Sequence, residues 1–83
     1  MSTKVTLIPW KQVMQIARKS KHHGELGWTI AKQLGLTDSE ILQSNLDEKI
    51  GEKLDRLIRE TVKMRITPRC VEFDTQGNVN MVI

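Results

Sequence analysis

The chain predicts a small α+β domain: three to four helices that include a helix-turn-helix, with a small antiparallel sheet made of an N-terminal strand and a C-terminal hairpin. Three observations carry this expectation. Apolar and β-branched residues alternate near both ends of the chain, and apolar residues recur at helical spacing between them. Gly35 lies between two of the helical segments, four residues after Ala31 and six before Ile41. A helix-turn-helix needs that arrangement. A small residue lets two helices approach, a glycine takes the left-handed turn conformation, and an aliphatic residue fills the space between. Thr37 and Glu40 have the spacing of a capping box for the helix that follows.

The elements follow in order. Residues 4–8 are expected to form a short strand with Val5 and Leu7 on one face, and Pro9 ends it. A first helix runs from Trp10 to Lys19, with Trp10, Val13, Met14 and Ala17 as its buried stripe. Residues 20–24 read as a polar loop. A second helix covers residues 25–35, with Leu26, Ile30, Ala31 and Leu34 inward and Trp28 at its start as a core residue. A short third helix spans Asp38 to Gln43, with Ile41 and Leu42 as its apolar content. Ser44 or Asn45 is placed to cap a fourth helix from Leu46 to Met64. Its apolar arc is Leu46, Ile50, Leu54, Leu57, Ile58 and Met64. Gly51 reads as a weak point there, costing about 1 kcal/mol relative to alanine. Pro68 stops the helix, and residues 70–83 form the hairpin. Val71 and Phe73 alternate on one arm, Val79, Met81 and Ile83 on the other, and Gly77 supplies positive φ in the turn. The N-terminal strand is the natural third partner, because an isolated hairpin is marginal in water.

Eighty-three residues make a single domain, 1–83, with a limited core. Hydrophobic content of 39% against 28% charged excludes a disordered chain. The net charge of +3 and pI near 9.3 are compatible with nucleic acid without demanding it. The one cysteine, Cys70, rules out an internal disulfide, and an intracellular, cytoplasmic protein is expected. No membrane span and no signal peptide are expected either. His22 and His23 are adjacent without metal-ligand spacing, so no metal site is expected. Cys70 has no catalytic partner at a suitable spacing, and there is no glycine-rich phosphate loop or carboxylate pair. No enzymatic activity and no cofactor are expected.

Two routes to nucleic acid remain. The third helix offers Thr37, Ser39 and Gln43 to base edges. Arg18, Lys19, Lys21 and Lys32 supply charge for phosphates. Against the first route stand Asp38 and Glu40, which favour a helix N-terminus but repel phosphate. The competing reading makes the two helices a packing unit only. The basic residues of the fourth helix have a competing reading too, as a solvated face tied by Glu52–Arg56 and Asp55–Arg59 pairs.

The run Ile30-Ala31-Lys32-Gln33-Leu34-Gly35-Leu36, followed by Ile41, resembles the helix-turn-helix of small phage repressors of the Cro type. The early Val5-Thr6-Leu7 and the late segment from Val71 to Val79 are also similar to that family. The resemblance implies a dimeric operator-binding protein with Thr37, Ser39 and Gln43 in recognition positions. The chain departs from it in the long fourth helix and in the absence of a basic residue from the third. A second, lesser resemblance is to death-fold adaptor domains, through Trp28, Ile30-Ala31, Leu34-Gly35-Leu36-Thr37 and Ile41. It implies helix–helix assembly of proteins.

The leading expectation is therefore a DNA-binding helix-turn-helix protein, a small dimeric transcriptional regulator, with double-stranded DNA as its partner. Residues 79–83 are the candidate homodimer edge, between Val79 and Ile83. The alternative is a protein-interaction module, adaptor or inhibitor, using the acidic third helix or the terminal strand.

Overall fold

The structure, a computed structural model, describes residues 4–83. The element order is β1 (Val5–Pro9), α1 (Trp10–Lys19), α2 (His23–Gln33), α3 (Asp38–Gln43), α4 (Leu46–Met64), β2 (Cys70–Asp74) and β3 (Val79–Val82). The three strands form one antiparallel sheet in the order β1-β2-β3. Leu7 pairs with Glu72 and Ile8 with Val71, while Val71 pairs with Met81 and Phe73 with Val79. The α+β class, the helix-turn-helix and the strand-plus-hairpin sheet are thus as the sequence predicts.

The helices cover one face of the sheet. Ile8, Val71 and Phe73 point inward and join a core with Val13, Leu26, Ile30, Ala31, Leu34, Ile41, Ile50 and Leu54. Strand periodicity puts Val5 and Leu7 together on the other face. That face meets solvent, leaving them 50% and 57% exposed. Ile83 lies beyond β3, and Met64, assigned to the buried arc of α4, is exposed in the last turn of that helix. Leu42 is exposed as well.

α2 starts two residues earlier than expected. His22 occupies its N-cap, where Nδ1 accepts the Glu25 N–H at 3.2 Å. α2 ends in a Schellman turn: Gly35, at φ +86, donates its N–H to the Lys32 carbonyl, and Leu36 donates to Ala31. The predicted cap of α4 is replaced by something else. Asn45 stands at the N-cap in the left-handed region, φ +50, and its side chain makes no capping hydrogen bond. The chain reverses between α3 and α4 through that backbone conformation, which asparagine tolerates better than most residues.

Gly51 is no weak point. It lies where α4 crosses α2, the most extensive helix contact in the fold. A Cβ on Gly51 would sit 1.8 Å from the His23 carbonyl oxygen, and one on Gly27 would sit 1.7 Å from the Asp47 carbonyl oxygen. Each helix thus presents a glycine to the other's backbone, one turn from the carbonyl that its partner presses against. A hydrogen bond of 2.7 Å between His23 Nε2 and Glu48 Oε2 flanks the crossing.

Asp74 organises the hairpin turn. Its Oδ1 accepts the N–H groups of Gln76 and Asn78, both at 2.9 Å, and Oδ2 accepts the Asn78 amide at 2.8 Å. Gly77 takes φ +90 beside them. Partial burial pushes the Asp74 carboxyl up. The Asn78 backbone and side chain, the Gln76 N–H and the charge of Lys53 together outweigh it and hold the carboxyl below its ordinary value. A carboxyl depressed by folding contributes stability above its unfolded pKa, and that contribution is lost as pH falls through the folded value. Asp74→Asn is expected to lower stability by about 1 kcal/mol at pH 7, the low side for a charged hydrogen-bond set because solvent screens it. The difference should shrink toward pH 3. Denaturant unfolding of both proteins at the two pH values measures it.

Candidate nucleic-acid interface

α3 is positioned by one buried side chain. Ile41 is fully buried, whereas Asp38, Ser39, Glu40, Leu42 and Gln43 are exposed. Ala31, also fully buried, is the small residue that lets α3 close on the end of α2. The capping box forms as expected. Thr37 Oγ1 accepts the Glu40 N–H at 3.2 Å, and Glu40 Oε1 accepts the Thr37 N–H at 3.0 Å and its hydroxyl at 2.9 Å. These bonds, from the Thr37 backbone first and its hydroxyl second, hold the Glu40 carboxyl below its ordinary value.

The seven candidate residues are not equivalent. Thr37 has its hydroxyl proton and one lone pair committed to Glu40, which leaves its methyl group and a single acceptor lone pair for a ligand. Ser39 and Gln43 are exposed, and neither side chain makes a hydrogen bond among the described residues. Lys32 Nζ donates to Asp38 Oδ1 at 2.7 Å, so its charge is locally balanced by the acid at the start of α3. Arg18, Lys19 and Lys21 are exposed at the other end of the α1–α2 pair. Gln12 Nε2 donates to Gln33 Oε1 at 3.2 Å, and the Lys21 N–H donates to Glu25 Oε2 at 3.3 Å. α1 and α2 are therefore antiparallel, and the three cations lie near the start of α2. The α2–α3 turn is about 16 Å away along the helix. The structure brings Lys32 to α3 but not Arg18, Lys19 or Lys21.

On α4 the Asp55–Arg59 pair forms at 3.2 Å. Among the described residues no ion pair joins Glu52 to Arg56. Three further cations lie beside α1: Lys11 and Arg69 line a groove together with Arg18, and Arg65 lines the adjoining cavity, which shares Trp10, Met14 and Thr67 with it. The available signal was the segment Arg65-Ile66-Thr67-Pro68-Arg69, two arginines bracketing uncharged residues with no acid among them. Among the described residues no three His, Cys, Asp or Glu side chains converge as a metal site requires. Among the described residues no helix is long and apolar enough to cross a membrane. Comparison of the chain with protein-family models, curated proteins and solved structures found no match.

Proposed function

We propose that the protein binds double-stranded DNA through α3, as a small dimeric helix-turn-helix regulator of the cytoplasm that acts by occupying a site and not by chemistry. The observation that carries this reading is the exposure of α3, a helix whose one buried side chain is Ile41, with Ser39 and Gln43 turned to solvent. Glutamine pairs with adenine in the major groove, and serine reaches either kind of base. Arg18, Lys19 and Lys21 meet phosphates away from α3, at a spacing that lies within one duplex turn of about 34 Å. Thr37 orients α3, and Lys32 offsets the charge of Asp38. The dimer forms by β3 pairing with its symmetry mate, since β3 pairs with β2 alone among the described residues.

Titration of mixed-sequence duplex at rising salt tests the reading. Affinity is expected to fall linearly in log–log form. Changing Arg18, Lys19 and Lys21 to Gln should reduce the slope by about 0.9 for each phosphate that is no longer neutralised. On a duplex selected from a random pool, Ser39→Ala with Gln43→Ala should cost about 1–3 kcal/mol for each base that these side chains read. Absence of binding at low salt overturns the proposal, and a monomer at DNA-binding concentrations removes the dimer.

The acids of α3 favour a second reading, in which that helix binds a protein. Asp38→Lys with Glu40→Lys separates the two: a DNA reader gains non-specific affinity, whereas a protein-binding face loses its partner.

A further inference from the structure

We propose that the groove between α1 and the C-terminal half of α4 docks an acidic amphipathic peptide segment of a partner protein. The site is separate from α3, and the inference goes beyond the DNA reading. α1 and α4 nowhere bring Cα atoms within 8 Å of each other, and side chains only partly fill the gap. Trp10 and Met14 from α1, Ile58 from α4 and Ile66 from the following loop line it, all half-buried. The gap continues past Trp10, Met14 and Thr67 to Pro68. Val62, 73% exposed, stands at its lip.

The rim is cationic. Lys11, Arg18, Arg65 and Arg69 border the groove, and among the described residues no Asp or Glu lines this stretch; beyond Ile58 the gap between the helices reaches Asp55, whose carboxylate is paired with Arg59. Among the described residues none of these four cations has a carboxylate within 4.0 Å. The ion pairs that do form lie on α2, α3 and α4. The rim is also held in place. The Trp10 N–H donates to the Arg69 carbonyl at 3.0 Å, and the Arg69 N–H donates to the Val82 carbonyl at 2.9 Å. Arg65 sits at φ +55, where glycine would be relaxed.

The two chemistries together select the occupant. Apolar side chains must cover Trp10, Met14, Ile58 and Ile66, and carboxylates must meet the arginines. Nucleic acid satisfies the rim but leaves the aliphatic part of the floor unmatched. From Trp10 to Arg18 the groove wall is about 12 Å long, room for two turns of a docked helix.

The test uses the full chain with Trp28→Phe, so that Trp10 is the only tryptophan. The probe is a synthetic peptide of about ten residues, just under three turns of helix, with Leu and Phe on one face and Asp and Glu on the other. A saturable blue shift of Trp10 emission with a micromolar Kd is expected. Calorimetry on the unsubstituted chain should return the same Kd. Arg65→Gly with Arg69→Gln should weaken binding about tenfold. Arg65→Gly alone should melt no lower than the parent, because glycine relaxes the backbone there. Ser39→Ala with Gln43→Ala should leave peptide binding unchanged, so loss of DNA binding and loss of peptide binding are separable. The assignment is overturned by no saturable response, or by binding insensitive to the arginine changes. It is also overturned if polyglutamate or single-stranded DNA of equal charge binds as tightly.

Discussion

Gly51→Ala is expected to destabilise the protein by about 2–4 kcal/mol, although helix propensity alone favours alanine by about 1 kcal/mol. The sign of the effect is decided by the crossing of α2 and α4. A methyl group 1.8 Å from the His23 carbonyl oxygen cannot be absorbed by a rotamer change, because its neighbour is backbone. The helices must separate, and Ile30, Ile50 and Leu54, all fully buried, then pack less closely. A chain of this length has about 4–12 kcal/mol of stability in total. The substitution is therefore expected to lower Tm by roughly 10–30 °C. Gly27→Ala should behave alike, since its Cβ would meet the Asp47 carbonyl oxygen at 1.7 Å. Because either methyl group forces the same separation, the double substitution should cost less than the two single costs added. Thermal melts of the three variants test this. A Gly51→Ala protein more stable than its parent would contradict the close crossing.

Phe73→Ala is expected to cost about 3–5 kcal/mol and to leave little folded protein at 37 °C. Phe73 is fully buried on the central strand, between Thr6 of β1 and Val79 of β3. It joins the sheet to the helical core, and removing its ring opens a cavity where all three strands meet that core. Phe73→Leu, which keeps much of the volume, should cost clearly less. Denaturant unfolding followed by far-ultraviolet circular dichroism measures both. Equal effects of the two substitutions would show that ring volume is not what this site requires.

Much of this fold is legible locally. The separate helix stripes that carry Val13, Ile30 and Ile50, the capping box of Thr37 and Glu40, and the positive φ at Gly35 and Gly77 each depend on residues a few positions apart. What escaped depends on distant segments. Gly51 reads as a helix weakness because the carbonyl it accommodates belongs to His23, on another helix. Ser44 and Asn45 both read as side-chain caps because their spacing before Leu46 says nothing of a left-handed backbone at Asn45. Val5 and Leu7 share a face, yet only the placement of the helices decides that it is the solvent face. Of the candidate contacts, Ser39 and Gln43 lie where helical periodicity puts them. The balancing of Lys32 by Asp38 and the commitment of the Thr37 hydroxyl are properties of the folded turn. The Trp10 groove joins residues from α1, α4 and the following loop, so no single stretch announces it.

The pairing of β1 with β2 has a consequence for synthesis of the chain. Val5 waits for Asp74, which is made about seventy residues and roughly 4–14 s later at ordinary translation rates. The contacts of α2 with α1, α3 and α4 span shorter separations, so the helices can assemble while β1 still lacks its partner. During that interval its backbone hydrogen-bonding groups and the side chain of Ile8, buried in the finished fold, are open to other nascent chains. Crowded polysomes, more than the finished protein, are where this sequence is most exposed to misassociation, and faster release of the C-terminal hairpin shortens the exposure.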